Sequence, residues 1–189
     1  MLAVSPNYRD VLMIRGLYNP NQELPLIPFS DGVGEVVEVG EGVDRVEVGD
    51  RVCPMFFQDW VAGQPTKKRL KSALGGPLDG PLTEYMATPA DAVVAVPDYL
   101  TDEQAAALPC AGLTAWNALA EQGDVTAGQT VATLGTGGVS SFALLFGKAL
   151  GAEVIITSSS DTKLERAADL GADHGINYEE NPEWGKTIK

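Results

Sequence analysis

The amino-acid sequence predicts an α/β fold in which a small β-barrel is followed by a doubly wound parallel sheet. The parallel sheet is indicated by two short apolar runs, residues 131–134 and 154–157, which flank a segment with apolar residues at helical spacing. The barrel is indicated by short valine-rich runs that alternate with glycine and proline turn signals earlier in the chain. We therefore expect two domains, residues 1–124 and 125–189.

Turn signals divide the first domain into short predicted strands. Residues 61–80 hold four basic residues, two prolines and four glycines, and we expect a long surface loop there. The predicted strands are residues 32–39, 46–48, 50–54, 82–87 and 92–96.

Helices are predicted after the barrel and after the second strand of the parallel sheet. Thr101 and Gln104 fit a capping box, and Thr162 and Glu165 resemble a second one. Another helix is expected at about residues 113–122, because a glycine follows it.

The first apolar run of the second domain ends in the pattern Gly135-x-Gly137-x-x-Ser140, and a helix follows. Such a turn lets the backbone approach a pyrophosphate closely, and the unpaired N–H groups of the helix N-terminus favour negative charge. Serine at the third position is small enough for the helix to pack near the strand. The pattern predicts a dinucleotide site whose phosphate-binding residues are Gly135, Thr136, Gly137, Gly138 and Val139.

Two other interpretations of this segment were considered. A strand–helix–strand unit that binds no ligand has the same pattern of apolar residues. A nucleoside triphosphate loop is disfavoured, because Gly147 and Lys148 lie inside the helix and are followed by Ala149 instead of serine or threonine.

The composition is that of a globular protein that binds small molecules. A formal net charge of −13 disfavours nucleic acid and anionic membranes as partners. No apolar run approaches the ~20 residues of a membrane span, and we expect no signal peptide. The two cysteines form no disulfide framework, so we expect a reducing, cytoplasmic location and a small-molecule substrate.

A single histidine, His174, limits the chemistry that the chain can perform. A metal site built from several histidines is excluded by this count. The surrounding sequence predicts that His174 is a solvated loop residue.

Several motifs in order along the chain resemble the medium-chain dehydrogenase/reductase superfamily, in particular its zinc-independent quinone oxidoreductases. That resemblance implies a GroES-like barrel as the catalytic domain, a Rossmann domain after it, and nicotinamide bound in the cleft between them. The motifs are Asn7 to Asp10 with Gly16 and Tyr18, residues 37–43 and 48–52, Leu113 to Trp116, and residues 135–139.

The chain departs from the zinc alcohol dehydrogenases at their metal ligands. Asn7 stands in place of the first cysteine, Ser30 and Asp31 replace the His-Glu pair, and Cys110 falls where the last cysteine would be. A catalytic zinc takes three protein ligands, so we expect no metal. The resemblance then implies hydride transfer to or from a quinone, enone or similar carbonyl-activated substrate, with hydrogen-bond donors stabilising enolate charge.

The resemblance also assigns roles to individual residues. Asn7 and Tyr18 match positions that line the nicotinamide and substrate pocket, which makes them the candidate catalytic residues. The alternative is that they are ordinary barrel and loop residues. Thr114 matches a cofactor-binding position.

The end of the second strand indicates which dinucleotide is preferred. NAD enzymes place an acid there to bind the ribose 2′-hydroxyl, whereas this chain has Ser158. Lys163 follows, and Tyr178 on a third strand matches a residue that contacts the 2′-phosphate in similar quinone oxidoreductases. NADP(H) is therefore favoured over NAD(H). The competing interpretation makes Asp161 the ribose ligand.

Family members extend beyond both ends of this sequence, so the resemblance implies a chain truncated at both ends. Relatives are usually homodimeric, and the strands that form their dimer contact are absent here. We expect this polypeptide to self-associate and to turn over poorly. The alternatives are a catalytically dead remnant that at most binds a nucleotide, and an alcohol dehydrogenase-like enzyme acting on alcohols or aldehydes.

Overall fold

The computed structural model describes residues 1–188. It separates into two compact units, Met1–Cys110 and Ala111–Lys189. The functional boundary expected near residue 124 stays a prediction, because compactness alone does not say to which domain the helices before it belong.

The first unit is built on a four-stranded antiparallel sheet in the order β1-β2-β3-β4. Buried Val33 and Cys53 project from it and pack against Ala105 and Ala106, which forms the core of this unit. Its strands are β1 Ala3–Ser5, β2 Asp31–Glu35, β3 Arg51–Pro54 and β4 Val93–Ala95, and its helices are α1 Tyr8–Ile14, α2 Lys67–Leu70, a 3₁₀ turn Ala90–Ala92 and α3 Asp102–Ala106.

Two of the predicted barrel strands are not strands in the structure. At residues 46–48, the Asp50 carboxylate accepts a hydrogen bond from the Glu47 N–H at 2.8 Å, and the chain turns instead of extending. At residues 82–87, Thr83 N–H donates to the Pro81 carbonyl, which also bends the backbone. In both places local hydrogen bonds replace the sheet pairing that the valine pattern predicted.

The predicted surface loop at residues 61–80 is only half right. Its first half is exposed and contains α2, whereas residues 72–76 are buried. Gly75 and Gly80 lie against the Phe29 carbonyl so closely that neither has room for a Cβ. Residues 72–76 and 80 therefore belong to the buried part of the first unit.

The predicted helices between the two domains are confirmed. Thr101 Oγ1 accepts from the Gln104 N–H, and the Gln104 side chain accepts from the Thr101 N–H, which completes the capping box. The following helical segment contains two π-helical turns, Leu108–Gly112 and Asn117–Gln122, on either side of α4 Leu113–Trp116.

The second unit contains a three-stranded parallel sheet in the order β5-β6-β7. Apolar residues of β6 alternate with the pleat, and Val154 and Ile156 pack with Leu144 of α5 and Ala167 of α6. The elements are β5 Thr130–Thr133, α5 Gly138–Ala149, β6 Glu153–Ser158, α6 Asp161–Asp169, β7 His174–Asn177 and α7 Trp184–Thr187.

Helix α5 packs on both sides. On one side Gly147 approaches Val154 so closely that a Cβ would lie 2.9 Å from its Cγ2 atom. On the other side Ala143 packs with Ala115 and Leu119. These contacts fix the N-terminus of α5 at the end of β5.

One local prediction for the second unit is wrong, and a second, that His174 is a solvated loop residue, is right about solvent exposure and wrong about the loop. Helix α6 begins at Asp161, with Ser160 as its N-cap, so Thr162 lies inside the helix and forms no capping box. His174 begins β7, and its Nε2 atom lies 2.9 Å from Glu153 Oε1 on the neighbouring strand. Cross-strand pairing extends β7 further toward the N-terminus than its apolar residues indicate.

Among residues 1–188, no helix is long and apolar enough to cross a bilayer.

The core of the second unit provides a stability test with a matched control. Leu144 is fully buried, whereas the adjacent Leu145 is 42% exposed on the same helix. We expect Leu144→Ala to lower the free energy of unfolding by about 2–5 kcal/mol. Leu145→Ala should lower it by less than about 1 kcal/mol. Urea unfolding followed by circular dichroism measures both, and equal losses would contradict this packing.

Candidate functional site

The glycine turn between β5 and α5 contains three glycines, and the fold constrains two of them. Gly135 has φ +80°, a conformation that side chains rarely adopt. A Cβ on Gly138 would lie 3.2 Å from the Ala111 Cβ. The Gly135 N–H donates to Thr157 Oγ1 at 3.1 Å, which ties the turn to β6.

Gly137 has no such structural reason to be glycine. Its φ is −78°, which any residue adopts, and no protein atom lies within 4 Å of the position where its Cβ would be. Gly137 is also the N-cap of α5, a helix of 12 residues, so unpaired N–H groups follow it directly. The turn therefore leaves open space beside a helix N-terminus, which fits a pyrophosphate.

The remaining residues of the pattern support this turn. Thr136 and exposed Val139 flank Gly137 and Gly138. The Ser140 hydroxyl donates to the Leu134 carbonyl at 3.0 Å, and so joins the first turn of α5 to the end of β5.

A second group of predicted residues meets at the carboxyl ends of β6 and β7. Ser158 is buried and accepts a hydrogen bond from the Ser160 N–H at 3.2 Å. The Tyr178 N–H donates to the Ser158 carbonyl at 3.0 Å, so these two residues are adjacent. The Asp161 carboxylate accepts a hydrogen bond from Asn177 Nδ2 at 2.8 Å. This contact engages the carboxylate that the competing interpretation assigns to the ribose.

Lys163 and Thr114 lie on exposed helix surfaces of the second unit. Lys163 is on α6, five residues after Ser158, and its ammonium group makes no ion pair within residues 1–188. Thr114 is exposed on α4.

In the first unit, the positions that match zinc ligands in the alcohol dehydrogenases converge on one buried carboxylate. Asp31 is 1% exposed. Its Oδ1 atom accepts from the Ser30 hydroxyl at 2.7 Å, and its Oδ2 atom accepts from the Cys110 N–H at 2.9 Å. Burial raises the pKa of Asp31, while the hydrogen bonds from Ser30, Asn7 and Cys110 lower it in part.

Asp10 is a second buried acid close to Asp31, and its charge contributes to the raised pKa of Asp31. Burial raises the pKa of Asp10 as well, and the Asn7 N–H, at 2.6 Å from Asp10 Oδ2, partly offsets this. The backbone contact places Asp10 at the N-terminus of α1, where an acid is favourable.

Arg9 links α1 to the buried half of the 61–80 segment. Its guanidinium donates to the Leu74 carbonyl at 2.9 Å and to the Gly76 carbonyl at 2.7 Å. The same group lies 5.1 Å from the Tyr18 ring centroid and 4.9 Å from that of Phe56. Arg9 thereby places Tyr18 beside α1.

The two candidate catalytic residues expose different groups. The Asn7 amide nitrogen is buried near Asp31, and this contact lowers the pKa of that carboxyl. The distance and angles of the contact fall short of a full hydrogen bond, and the same holds for every other acceptor in residues 1–188. Tyr18 is 55% exposed. The site thus contains one buried amide donor and one accessible phenol.

The donor set around Asp31 does not fit a catalytic zinc. It offers one thiol, one carboxylate already bound by two donors, a hydroxyl and an amide, whereas zinc takes three ligands from cysteine, histidine and acids. Within residues 1–188, no group of three or more such side chains is arranged to hold a metal. Burial raises the pKa of Cys53 to about 11, so that thiol stays protonated at neutral pH.

Three residues organise the site in roles that the sequence did not indicate. Thr157 holds the glycine turn, Arg9 places Tyr18, and Asp31, which was expected only as a replacement at a zinc-ligand position, holds Cys110. Thr157 carried a visible signal, because a polar residue ends an apolar strand there.

Two family profiles match the chain. The profile described as "Alcohol dehydrogenase GroES-like domain" matches residues 1–98, which is more than half of the 189 residues. The profile described as "Zinc-binding dehydrogenase" matches residues 138–189. The chain belongs to the medium-chain dehydrogenase/reductase superfamily. The GroES-like barrel and the partial nucleotide-binding sheet predicted from the sequence are thereby confirmed.

Curated relatives include proteins named for alcohol dehydrogenation. A zinc-type alcohol dehydrogenase-like protein of Schizosaccharomyces pombe is 49% identical over 184 residues, which cover 96% of this chain and 53% of that protein. An alcohol dehydrogenase of Geobacillus stearothermophilus is 37% identical over 188 residues, which cover 95% and 56%. The chain therefore spans about half the length of the curated relatives it matches.

Solved structures show the same fold. A candidate alcohol dehydrogenase from Sinorhizobium meliloti 1021 has a TM-score of 0.90 and 47% identity, covering 99% of this chain and 55% of that one. A quinone oxidoreductase from Pseudomonas syringae has a TM-score of 0.73 and 35% identity, covering 94% and 48%. A mycobacterial protein complexed with NADPH has a TM-score of 0.71 and 30% identity, covering 93% and 47%.

The hydrogen bonds of Asp31 can be tested by substitution. Asp31→Ala leaves the Cys110 N–H without its acceptor, and should lower the free energy of unfolding by about 1–3 kcal/mol. Asp31→Asn should lower it less, because its amide oxygen can accept from Cys110 while the Ser30 hydroxyl rotates. Equal losses in chemical denaturation at neutral pH would contradict this role.

The pH dependence of the same variants has a defined sign. Because burial raises the pKa of Asp31, the folded chain takes up a proton at a higher pH than the unfolded chain does. Wild-type stability relative to Asp31→Asn should therefore rise as the pH falls through this raised pKa toward the ordinary value of about 3.9. A relative loss of stability over that interval would show that the carboxylate is stabilised in its charged form.

Proposed function

We propose that the chain is part of a zinc-independent, NAD(P)H-dependent oxidoreductase that transfers hydride to or from a quinone, enone or similar carbonyl-activated substrate. The observation that carries the proposal is Gly137, which keeps open space at the N-terminus of α5 that the protein itself does not fill. A pyrophosphate bound there would accept hydrogen bonds from the N–H groups that open α5.

The end of β6 supports a preference for NADP(H). Ser158 provides a neutral hydroxyl where a carboxylate would repel a 2′-phosphate, and Asp161 is engaged by Asn177. Lys163 and Tyr178 would then contact the phosphate, the first through its ammonium group. The structure of the mycobacterial relative is a complex with NADPH, which is consistent with this preference.

The first unit supplies hydrogen-bond donors for the substrate. Bound NADPH would supply a hydride to the β-carbon of an enone, while a proton adds to the α-carbon. Asn7 and Tyr18 would donate hydrogen bonds to the substrate oxygen and stabilise the developing enolate. The amide nitrogen of Asn7 carries two N–H donors, and its contact with Asp31 falls short of full hydrogen-bond geometry, which leaves a buried donor for the substrate oxygen.

Zinc independence rests on the cluster around Asp31. An alcohol or aldehyde substrate depends on a Lewis acid to polarise its oxygen, and the donors here do not fit one. The names of the curated relatives favour a second candidate, an alcohol dehydrogenase-like enzyme acting on alcohols or aldehydes. That candidate requires a metal or a donor that these residues do not include.

Gly137→Val tests the proposed dinucleotide site. Its side chain would enter the open space, so NADPH affinity in a fluorescence titration should fall at least about tenfold, a loss of roughly 1.4 kcal/mol. The melting temperature should stay close to that of the wild type, because no protein atom is displaced.

Unchanged NADPH affinity in a folded Gly137→Val variant would contradict the dinucleotide site.

Elemental analysis of the wild type provides the test of zinc independence. Stoichiometric zinc together with activity lost to chelators would favour the alcohol dehydrogenase-like candidate.

The cofactor preference is tested separately. Wild-type protein should bind NADPH more tightly than NADH by roughly one to two decades, the usual value of a charge-assisted contact to phosphate. Lys163→Glu should remove this margin, whereas Lys186→Glu, which makes the same change of net charge on α7, should keep it. Equal or tighter NADH binding by the wild type would overturn the assignment of Ser158.

A further inference from the structure

A cavity in the first unit is lined in part by the candidate residue Tyr18, and its other lining residues have no assigned role so far. Its volume is about 550 Å³, enough for a small organic molecule. Met13, Tyr18, Leu70 and Pro77 give it an apolar wall, and the remaining lining residues are polar or glycine: Asn19, Asn21, Gln22, Glu23, Lys71 and Gly76.

The walls of this cavity are held by contacts described above. Arg9 binds the Gly76 carbonyl at 2.7 Å and lies over the Tyr18 ring, so two lining residues are fixed to the same guanidinium. Gly76 has φ +132° and lies so close to the Met13 side chain that a Cβ would collide with it. The cavity is therefore formed by the fold before any ligand enters.

Two apolar side chains at the cavity are exposed to solvent. The Tyr18 ring is 55% exposed and Leu70 is 48% exposed. Covering both with the apolar part of a ligand would remove their surfaces from water, which is favourable.

A cluster of cationic residues lies beside the cavity, in contrast to the net charge of the chain. Net charge is −13, yet four cationic residues stand within five positions at α2. Lys71 lines the cavity, is exposed, and makes no ion pair within residues 1–188. Glu23 is the one acid among the lining residues. The three other cations are Lys67, Lys68 and Arg69.

We infer that this cavity, here named the Tyr18–Lys71 pocket, binds a substrate whose apolar body ends in a carboxylate. Lys71 would pair with the carboxylate, and Tyr18, Leu70 and Met13 would contact the body. A monoanion suits the pocket better than a dianionic phosphate, because Glu23 lines the same wall. The inference rests on the proposed function and names the substrate class for it.

A matched pair of ligands tests the inference: an aryl enone with a para-carboxylate, and the methyl ester of the same compound. Isothermal titration with the purified chain should show the acid binding roughly tenfold tighter than the ester, with a preference that falls as salt is added. Lys71→Gln should abolish the preference. Lys68→Gln, on the same helix but outside the pocket lining, should retain it.

Ligand binding and cofactor binding are measured separately, so the two proposals fail independently. Equal affinities for acid and ester, or a preference that survives in folded Lys71→Gln, would overturn the Tyr18–Lys71 pocket, even if NADPH binds as proposed. A Lys71-dependent preference for the acid supports the pocket. If NADPH affinity is then unchanged in folded Gly137→Val, the pocket stands and the proposed dinucleotide site fails.

Discussion

The buried carboxylate of Asp31 is the interaction on which the first unit depends. It joins the start of β2 to the π-helical turn that contains Cys110, a contact between residues 79 positions apart. A buried charge is stable in a protein only when hydrogen-bond donors surround it. Removing one donor lowers the free energy of unfolding, because the charge is then left buried without compensation. The positions of Asn7, Ser30 and Cys110 follow from this requirement.

A chain of contacts extends from that carboxylate to the surface. Asn7 precedes α1, and Arg9 on α1 reaches both the buried segment at Leu74 and the ring of Tyr18. Polar contacts therefore position the candidate catalytic residues. A network of hydrogen bonds holds side chains in fixed directions when its donors and acceptors have partners.

The sequence predicted well those features that depend on near neighbours. The glycine turn, the capping box at Thr101 and the parallel strands are local patterns whose spacing determines their structure. The buried half of residues 61–80 was missed because its partners, Phe29 and Arg9, are distant in sequence. For the same reason, the contacts that Ser30 and Cys110 make with Asp31 were not foreseen from the sequence.

If selection acted on folding alone, the three glycines of the turn between β5 and α5 would differ in how readily they are replaced. Gly135 would persist because of its backbone conformation, and Gly138 because of its neighbour Ala111. Gly137 would drift, since alanine or serine at its φ meets nothing in the protein. A library of variants screened for folding alone would therefore replace Gly137 freely, and its retention under a screen for activity would measure the contribution of the ligand directly.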